Sequence, residues 1–454
     1  MSKSDANVSE EKTRDEPPTG EEITYGFPAG LWKRISKLRI PGLPGDTVWR
    51  SPLRGPWLTS LLGTLLAISL PLVFLTGLLD FIAYGPQFHQ ASPRHVGWLH
   101  LPYFNWPTRP DWLFQFTEGL HVLLGLVLVP VVLAKLWSVM PKLFRWPPIR
   151  SVAHLLERLS LIFLVGGIVF EMATGILNIQ YDYIFGFSFY TAHYFGAWVL
   201  MGAFVVHVLM KTPLVIKSLR SRSLRAELRT DLAHTVPEPL DAEGLVARHP
   251  SAPTISRRGA LAVVGGASAM IAVLSVGQVL GGVTRRATLL LPRGRSYGSG
   301  PNDFQINRTA LAAKIDPSAT GAEWRLTLSA RGSNVVLDRK ALLAMHQHEV
   351  VLPIACVEGW ATTEHWSGVR LVDLARLAGA RHPRSALVSS LEEHGAFNHA
   401  VLQSNQIIDL DSLLALRVNG VDLSPDHGFP ARIIVPALPG VHCTKWVRSI
   451  AFEA

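Results

Sequence analysis

The stretch VVLPIACVEGW, residues 350–360, places Cys356 at the end of an apolar run that is rich in β-branched residues. Such a run predicts a buried strand, and Glu358, Gly359 and Trp360 follow it as a turn. The cysteine side chain would therefore project from the strand end into a pocket lined by loops. Thiolate is a soft metal ligand, and no second cysteine or histidine lies at the spacing of a zinc site. The pattern indicates a metal held mainly by a cofactor that brings its own sulfur atoms.

The cysteine content limits the alternatives for this site. The chain has two cysteines, Cys356 and Cys443, which excludes a scaffold of several disulfides. The sequence leaves two ordinary roles for Cys356 open: a small buried apolar residue, or one half of a disulfide with Cys443.

The composition indicates a membrane protein. Of the 454 residues, 48% are hydrophobic and only 17% are charged, which is below the charged fraction of typical soluble domains. The formal net charge is +9, and the basic residues cluster beside apolar stretches, as in membrane proteins. The first residues are polar and acidic, so we expect a disordered cytoplasmic tail over residues 1–50 and no secretory signal.

Five apolar segments reach the roughly 20 residues that a helix needs to cross a bilayer. Segments rich in Lys and Arg precede the first, join the second to the third, and join the fourth to the fifth. The positive-inside rule then places the N-terminus in the cytoplasm and, because the number of spans is odd, the C-terminal portion outside. The predicted spans are Trp57–Tyr84, Thr117–Met140, Val152–Asn178, Tyr190–Thr212 and Gly259–Val283.

The first four spans, residues 51–212, have the pattern of a duplicated hairpin that carries histidines at two depths. The segments FLTGLLDFIAYGPQF and MATGILNIQYDYIFGF end the first and third spans. His193 and His207 are 14 residues apart in the fourth span, which is ~21 Å along a helix and nearly on one face. By depth, His121 pairs with His193 near the outer surface, and His154 pairs with His207 near the inner surface. Neutral imidazole is an axial ligand of haem iron, so two such pairs predict two b-type haems.

This block resembles the cytochrome b subunits of bacterial hydrogenases and formate dehydrogenases, on the basis of EGLHVLLG (residues 118–125) and HYFGAWVLMGAFVVH (residues 193–207). In that family the inner haem usually takes its second ligand from the first span, which has no histidine here. His154 is the substitute that the sequence offers, and Lys135 occupies the repeat position of His207. Glu171, near the middle of the third span, is either a proton or quinone-site residue or a polar group satisfied between helices.

The fifth span, residues 259–284, follows a cytoplasmic linker over residues 213–258. Ser256, Arg257 and Arg258 precede an apolar helix rich in Gly and Ala, which resembles a twin-arginine export signal inside the chain. Such a signal would suit a domain that folds around a large cofactor before export. Plain positive-inside charge is the alternative interpretation.

From residue 285 onward the pattern predicts a soluble, mixed α/β domain, residues 285–454. SGVRLVDLARLAG (residues 367–379) predicts a turn followed by a short amphipathic helix. The predicted strands lie in EWRLTLSA, HEVVLPIACV, ARIIVPAL and KWVRSIAFE.

Three ordered motifs of this domain resemble the sulfite-oxidase superfamily of molybdopterin enzymes: NDFQINRTA (302–310), CVEGWATTEHWSGVRLVDLARLAGA (356–380) and LSPDHGFPARIIVPALPGVHCTKWVRSI (423–450). The resemblance implies a Mo-molybdopterin cofactor with Cys356 as the protein ligand to molybdenum. It implies pterin and phosphate contacts at Asn307, Arg308, Thr309, Ser390, His427, Arg432, Cys443, Thr444 and Lys445.

One departure from the superfamily concerns the substrate. Sulfite oxidases follow the cysteine with Asn and paired Arg that bind an oxyanion, whereas Glu358, Gly359 and Trp360 stand here. This is closer to the periplasmic reductases of the superfamily, which reduce protein methionine sulfoxide or small S- and N-oxides. Glu358 is the candidate catalytic proton donor, and a loop carboxylate without a catalytic role is the alternative.

The sequence thus predicts a multidomain protein: an all-α transmembrane bundle of 4 + 1 helices, followed by a mixed α/β molybdopterin domain of the sulfite-oxidase type. We expect a multi-pass plasma or inner membrane oxidoreductase that exchanges electrons between the quinone pool, through one or two b-type haems, and an external substrate. S- or N-oxide reduction is favoured over sulfite-like oxidation. The alternatives are a b-type electron-transfer cytochrome with a non-catalytic docking domain, and a receptor-like anchor without redox groups. The expected partners are membrane lipid, quinone and a small-molecule or protein-bound oxide, and not nucleic acid.

Overall fold

The computed structural model describes residues 49–85, 95–96, 99–100, 104–144, 152–180, 187–241, 244–290, 300–395 and 398–453. The predicted disordered tail, residues 1–50, lies almost wholly outside this part of the chain. The described residues form a helical region up to residue 290 and a domain with two β-sheets after residue 300.

The helical region contains five helices that are long and apolar enough to cross a membrane. The second of them is broken at Leu128, where Pro130 in the next turn lacks an N–H for the helical ladder. Side chains such as Ile162 and Leu209 are exposed on the outer surface of the bundle, as is typical of helices that pack in lipid. The helices are α1 (Pro56–Tyr84), α2 (Leu113–Val127), α3 (Val129–Leu143), α4 (Val152–Gln180), α5 (Phe189–Arg220), the short α6 (Leu224–Glu227) and α7 (Arg257–Leu280).

The fifth long helix, α7, is part of the bundle and not a separate anchor. It packs against α2 and α3, while α1 packs against α2, α3 and α5, and α4 packs against α5. Ser268 Oγ of α7 donates to the carbonyl oxygen of Val127 at 2.8 Å, and Gln115 Nε2 donates to that of Val279 at 2.9 Å. Helix α7 ends at Leu280, three residues before the predicted end of the fifth span.

The predicted twin-arginine stretch begins helix α7 and contacts the linker that precedes it. Ser256 caps the helix by accepting from the N–H of Gly259 at 3.0 Å. Arg257 is buried, donates to the carbonyl oxygen of Val236 at 2.8 Å and lies 3.6 Å from Glu227. The motif therefore has a packing role in this fold, and its use as an export signal stays a prediction.

The C-terminal domain is mixed α/β, as the sequence predicted. Its strands are β3 (Arg325–Ala330), β4 (Ser333–Asp338), β5 (His348–Ala355), β6 (Ala361–Arg370), β7 (Ser385–Ser390), β8 (His399–Gln403), β9 (Leu413–Val418), β10 (Val421–Asp422), β11 (Arg432–Ile434) and β12 (Val447–Glu453), after a ribbon of β1 (His95–Val96) and β2 (Leu99–His100). One sheet has the strand order β10–β9–β6–β5, with β11 also paired to β9, and the other has the order β4–β3–β12–β7–β8, in which β3 and β12 run parallel. The start of SGVRLVDLARLAG, predicted as a turn, instead ends strand β6, because its backbone pairs with β9. The helices are α8 (Arg339–Ala344), α9 (Leu371–Leu377) and α10 (Ser404–Ile408).

The two regions share one apolar core. Tyr84 and Phe114, at the ends of α1 and α2, belong to the same buried cluster as the strands of the C-terminal domain. Trp106 Nε1 donates to the carbonyl oxygen of Ala437 at 2.7 Å, and His442 Nε2 donates to that of Tyr84 at 2.9 Å. These buried contacts fix the C-terminal domain on one end of the helical bundle.

Candidate functional site

Cys356 begins a tight turn between β5 and β6. Its N–H donates to the carbonyl oxygen of Trp360 at 3.0 Å, and its own carbonyl oxygen accepts from the N–H of Gly359 at 2.9 Å. Gly359 has a φ of +78°, a backbone conformation that residues other than glycine rarely adopt. The Cys356 residue is 3% exposed and is not joined to Cys443, so the disulfide interpretation is wrong.

Glu358 is fully buried in the same turn. Its carboxylate accepts a hydrogen bond from Trp360 Nε1 at 2.8 Å. Its backbone carbonyl accepts from Gln278 Nε2, near the end of helix α7, at 3.1 Å. The predicted proton donor therefore also braces the turn that carries Cys356.

The loop between β11 and β12 brings part of the predicted cofactor contacts to this turn. Cys443 lies in one apolar cluster with Cys356 and Trp366. Thr444 Oγ1 is buried and has no hydrogen-bond partner within the described ranges. Because a buried hydroxyl without a partner costs about 1–3 kcal/mol, it indicates a group that the protein alone does not supply.

Arg432 is a buried cation beside this loop. Its terminal nitrogens donate to the carbonyl oxygens of His427 at 3.1 Å and Cys443 at 3.3 Å, whereas no described residue accepts from its Nε. Burial lowers the pKa of Arg432 to about 10, so the guanidinium stays charged at neutral pH. A buried charge of this kind favours an anionic ligand.

Lys445 ties the segment Asn307–Arg308 to the same loop. Its ammonium group donates to Asn307 Oδ1 at 3.2 Å, to the carbonyl oxygen of Asp426 at 3.1 Å and to that of Arg308. Burial, and then the charge of Arg432, lowers the pKa of Lys445 to about 7. An anionic ligand nearby would keep this group protonated and the contacts intact.

Three further predicted contacts brace this region through bonds within the protein. Ser390 Oγ donates to the carbonyl oxygen of Lys445 at 2.8 Å. Arg308 forms an ion pair with Glu392 at 2.9 Å. Thr309 Oγ1 accepts a backbone N–H three residues further along at 3.1 Å. The predicted set therefore converges on one region of the domain.

His427 is a neutral, fixed imidazole in this region. Its ring stacks on Phe304 with the centroids 3.6 Å apart, and Nε2 donates to the carbonyl oxygen of Asn302 at 2.9 Å. Burial, and then the charge of Arg432, lowers the pKa of His427 to about 3. With the proton on Nε2, the Nδ1 atom is an acceptor.

These groups fit an anionic cofactor that contributes its own sulfur ligands to a metal. Cys356 supplies one buried thiol, Arg432 a buried positive charge and Thr444 an unpartnered hydroxyl. Among the residues that the structure describes, no group of three or more His, Cys, Asp or Glu could hold a metal without such a cofactor. The residues present therefore fit Mo-molybdopterin.

A cavity of about 250 Å³ lies between helices α1, α2, α4 and α5, and two predicted haem ligands meet in it. The ring centres of His121 and His193 are 6.1 Å apart, with an angle of 84° between the planes. The Nδ1 atom of His121 donates to the carbonyl oxygen of Val73 at 2.9 Å, and that of His193 lies 3.0 Å from Glu171 Oε2. A metal at roughly 2 Å from each of two imidazole nitrogens separates the ring centres by about 6 Å. The pair therefore fits a bis-imidazole haem iron.

The internal repeat gives each of these histidines a matching Thr-Gly neighbour, which the sequence analysis missed. Thr76–Gly77 on α1 contacts His121, and Thr174–Gly175 on α4 contacts His193. The threonine Oγ1 atoms lie 3.4 Å and 3.0 Å from the respective Nδ1 atoms. A Cβ at the glycines would lie 2.8 Å and 3.3 Å from the imidazole Cε1 atoms. The signal that could have found this pair is the dipeptide TG, present in both quoted repeat segments.

A second cavity, of about 210 Å³, lies nearer the other end of the bundle and includes His207. Lys135, at the repeat position of His207, also lines it and donates to a backbone carbonyl of α1 at 2.6 Å. His154 lies in the first turn of α4, and its side chain falls outside the described part of the structure. The predicted pairing of His154 with His207 thus stays a prediction.

The Cys356 turn packs directly on the His121–His193 cavity. Val357, the residue after Cys356, lines that cavity. A Cβ at Gly359 would lie 2.6 Å from Val122 Cγ1, and Val122 is next to His121 in helix α2. The Cys356 turn and the cavity of the histidine pair are therefore in contact through Val357 and Val122.

Comparison with known proteins identifies the C-terminal domain. A family model described as "Oxidoreductase molybdopterin binding domain" matches residues 312–454. The uncharacterized oxidoreductase YuiH of Bacillus subtilis (strain 168) is 34% identical over 119 residues, which are 26% of this chain and 59% of that protein. Sulfite oxidase of Arabidopsis thaliana is 35% identical over 99 residues, 19% of this chain and 25% of that protein. Mitochondrial sulfite oxidase of Rattus norvegicus is 28% identical over 183 residues, 34% of this chain and 33% of that protein.

These matches concern part of the chain and part of each relative. The chain spans less than two thirds of the length of all three relatives. The family match includes Cys356 and the β11–β12 loop, while Asn307–Thr309 precede it. Residues 312–454 are thus a molybdopterin-binding oxidoreductase domain of the sulfite oxidase type.

Proposed function

We propose that this protein is a membrane-anchored molybdopterin oxidoreductase that exchanges electrons between the quinone pool, through b-type haem, and an external substrate. The observation that carries the proposal is the contact of the Cys356 turn with the cavity of His121 and His193. Electron transfer through protein weakens steeply with distance. A metal ligand in a turn that packs on a bis-imidazole site is therefore suited to pass electrons in either direction.

Membrane anchoring is proposed from the five long apolar helices and their exposed apolar surfaces. We propose that the bundle spans the plasma or inner membrane several times, with the N-terminus in the cytoplasm. The basic segments of the sequence support this orientation. The C-terminal domain would then lie outside the cytoplasm, where it meets its substrate.

In the proposed site, Cys356 holds molybdenum, and the cofactor when bound supplies oxygen-atom transfer. Arg432 provides positive charge to an anionic part of the ligand, and neutral His427 offers an acceptor. The buried turn around Cys356 limits the access of water from the side of the bundle. The proposed pterin and phosphate contacts are Asn307, Arg308, Thr309, Ser390, His427, Arg432, Cys443, Thr444 and Lys445.

In the helical bundle, His121 and His193 would hold one haem b. Their Nδ1 atoms are oriented by a backbone carbonyl and by Glu171, which leaves Nε2 for iron. A second haem at His207 with His154 is the further proposal that the repeat supports. Quinone is the proposed membrane-soluble electron carrier.

We propose an S- or N-oxide as the substrate class, because Glu358, Gly359 and Trp360 replace the Asn and paired Arg that bind an oxyanion in sulfite oxidases. Sulfite-like oxidation uses the same parts in the reverse direction. A dye-linked assay tests the choice: reduced viologen should be consumed with methionine sulfoxide or an amine oxide. Turnover with sulfite and none with any oxide would reverse the assignment.

The central experiment measures molybdenum, haem and redox potentials in the purified full-length protein, for the wild type and for Cys356→Ser. The wild type should contain both molybdenum and haem, and Cys356→Ser should lose the molybdenum signal while the haem spectrum stays. Cys443→Ser changes the second buried thiol, a proposed cofactor contact but not the metal ligand, so the molybdenum that this variant retains should keep the molybdenum–thiolate signature. Haem without molybdenum in the wild type would favour the electron-transfer cytochrome with a docking domain, and a colourless protein would contradict both.

Glu358→Gln tests the proposed proton donor. Glutamine keeps an acceptor for Trp360 Nε1, so molybdenum content should not change. Loss of a general acid should lower turnover by about 100-fold or more. Full turnover in Glu358→Gln would leave Glu358 with its bracing role alone.

A further inference from the structure

Two acidic side chains lie on the cavity of the histidine pair, close to the C-terminal domain. Asp80 of helix α1 and Glu118 of helix α2 both line this cavity and are 6% and 4% exposed. Acidic groups buried between apolar helices are unfavourable unless they have a function or a partner. Neither residue has a role in the proposed cofactor sites.

The contacts of the two carboxyl groups leave them without a counter-charge. Thr117 Oγ1 donates to Asp80 Oδ1 at 2.6 Å, and Asp80 Oδ2 is buried without a hydrogen-bond partner among the described residues. Glu118 is close enough to Asp80 for a direct interaction between the carboxyl groups. Within the same described ranges, no Lys or Arg forms an ion pair with either residue. Because two negative charges this close repel strongly in a water-poor site, the pair must share at least one proton.

The other ionisable groups around the pair come from helices α1, α2, α4 and α5 and from the Cys356 turn. Tyr84 of α1 interacts with Glu118 and with Cys356 of the C-terminal domain, and its hydroxyl lies 3.5 Å from that of Tyr190 on α5. The histidine pair and Glu171 lie on the same cavity. None of these groups is a permanent cation that would neutralise both carboxylates. The carboxyl pair thus lies between the histidine pair and the Cys356 turn.

The pair is also close to the histidines along the helices. Glu118 precedes His121 by three residues, and Asp80 follows Gly77, which packs on His121, by three residues. Three residues correspond to about 4.5 Å along a helix. In a medium of low effective dielectric constant, a unit charge at the histidine site acts strongly over such a separation.

We propose that Asp80 and Glu118 form a proton-binding pair that gains one proton for each electron entering the site between His121 and His193. The inference rests on the proposed haem at this site. The electron comes from quinol or a chemical reductant and converts ferric to ferrous iron. The proton comes from water and adds to a carboxylate oxygen of the pair, and it leaves when the electron passes on toward the Cys356 turn. Net charge in the buried region is then unchanged by each transfer.

The test is an optical redox titration of the haem in the purified protein between pH 6 and 8. If one proton is bound with each electron, the equilibrium constant for reduction changes tenfold per pH unit. The wild-type midpoint potential should therefore fall by up to 59 mV for each unit that the pH rises. The double variant Asp80→Asn with Glu118→Gln, which keeps the shapes but removes both acids, should show less than half of that slope. Glu171→Gln removes the rival acid of the cavity and keeps an oxygen that can accept from His193 Nδ1, so its midpoint potential should shift but the pH slope should remain.

Three results would overturn the inference. They are a pH-independent wild-type potential, a full slope in the double variant, and loss of the slope in Glu171→Gln alone. The first two leave the haem, and thus the proposed function, intact, whereas a protein without haem would remove both. The haem content of each variant shows whether it is assembled. If the double variant does not bind haem, the single variants Asp80→Asn and Glu118→Gln are titrated in its place.

Infrared difference spectra between reduced and oxidised protein supply an independent measurement. Protonation of a buried carboxylate should give a carbonyl-stretch band on reduction, and this band should be absent from the double variant. A band that persists there, or that disappears in Glu171→Gln, would assign the proton to another group.

Discussion

Two glycines set how closely helices α1 and α4 approach the histidine rings. A Cβ at Gly77 would lie 2.8 Å from His121 Cε1, and one at Gly175 would lie 3.3 Å from His193 Cε1. The first distance is too short for any side chain unless the imidazole moves, whereas the second requires a small shift. The glycines therefore allow the ring orientation in which both imidazoles can bind one metal.

We predict that Gly77→Ala lowers the content of the proposed haem in the purified protein more than Gly175→Ala does. The added methyl group displaces His121, and a displaced ligand binds iron weakly. Absorbance of the reduced haem per mole of protein measures this. Gly202→Ala is the matched control, because a Cβ there meets nothing within 4 Å. Full haem content in Gly77→Ala would contradict the assigned ligand geometry.

Two buried histidines of the C-terminal domain link its stability to pH. Burial lowers the pKa of His442 to about 4, and burial followed by the charge of Arg432 lowers that of His427 to about 3. In the unfolded chain both have pKa values near 6.5. Between pH 6.5 and 4 the unfolded state therefore binds more protons, and the free energy of unfolding falls as the pH falls.

We predict that His442→Gln narrows the difference in thermal unfolding midpoint between pH 7 and pH 4.5. Between pH 6.5 and 4, one such group should lower the free energy of unfolding by about 1.4 kcal/mol for each unit that the pH falls. Glutamine can still donate to the carbonyl oxygen of Tyr84, so the protein should fold. The exposed histidine in His382→Gln serves as the control and should leave the difference unchanged. An unchanged difference in His442→Gln would mean that this histidine does not stay neutral.

At the scale of elements, the end of helix α7 contacts the turn that carries Cys356. Gly281 caps the helix with a φ of +71°, and a Cβ there would lie 2.4 Å from the carbonyl oxygen of Ala361. Ala361 starts strand β6 directly after the Cys356 turn, and Gln278 binds Glu358 of that turn. A helix that looks like an anchor in the sequence thus fixes the turn that carries Cys356, the proposed metal ligand.

Gly281→Ala should therefore destabilise the protein more than Gly282→Ala. Both positions have positive φ values, so both variants carry the strain of an L residue there. Only the first adds a steric clash, which costs about 1–3 kcal/mol. Thermal unfolding in detergent and molybdenum content measure the difference. Equal effects of the two substitutions would show that the contact with β6 is unimportant.

At the scale of the whole molecule, the helical bundle and the C-terminal domain are held together by buried and exposed contacts of different strength. Trp106 is buried and bonds to Ala437 of the C-terminal domain. The side chain of Arg109 is 53% exposed and pairs with Asp409 and Asp411. Exposed ion pairs contribute little because water and salt screen them.

We predict that Trp106→Phe lowers the free energy of unfolding by about 1–3 kcal/mol, because it leaves a buried carbonyl oxygen without its donor. Arg109→Ala should change it by about 1 kcal/mol or less. The two variants are compared by unfolding the full-length protein in detergent. Backbone circular dichroism monitors the unfolding, because tryptophan fluorescence would change with the substitution itself. A larger effect of Arg109→Ala would show that the exposed ion pairs of Arg109, and not the buried Trp106 contact, hold the C-terminal domain on the helical bundle.

Local patterns account for what the sequence could predict. The length of the apolar runs gave the five long helices, since hydropathy is a property of contiguous residues. Their ends lie within four residues of the predicted spans, with one exception. Helix α5 continues to Arg220, eight residues past the predicted end at Thr212, so the start of the predicted linker is helical. The strand before Cys356 and those in ARIIVPAL and KWVRSIAFE were predicted from β-branched runs. The turn predicted at the start of SGVRLVDLARLAG was wrong because pairing with β9 extended strand β6. The placement of His121 with His193 needed only helix geometry and depth.

The sequence by itself determined the apolar helices, the mixed α/β C-terminal domain and the residue types that a metal cofactor needs. The tertiary structure decided which of these residues meet: Thr76–Gly77 with His121, Asp80 with Glu118, and Val357 with the cavity of the histidine pair. Such contacts join residues far apart in the chain, and they depend on how helices and strands pack. Hydropathy and motif spacing indicate whether a segment is buried, but they do not show which other segment it contacts. The proximity of the two candidate redox sites therefore became visible only in the folded chain.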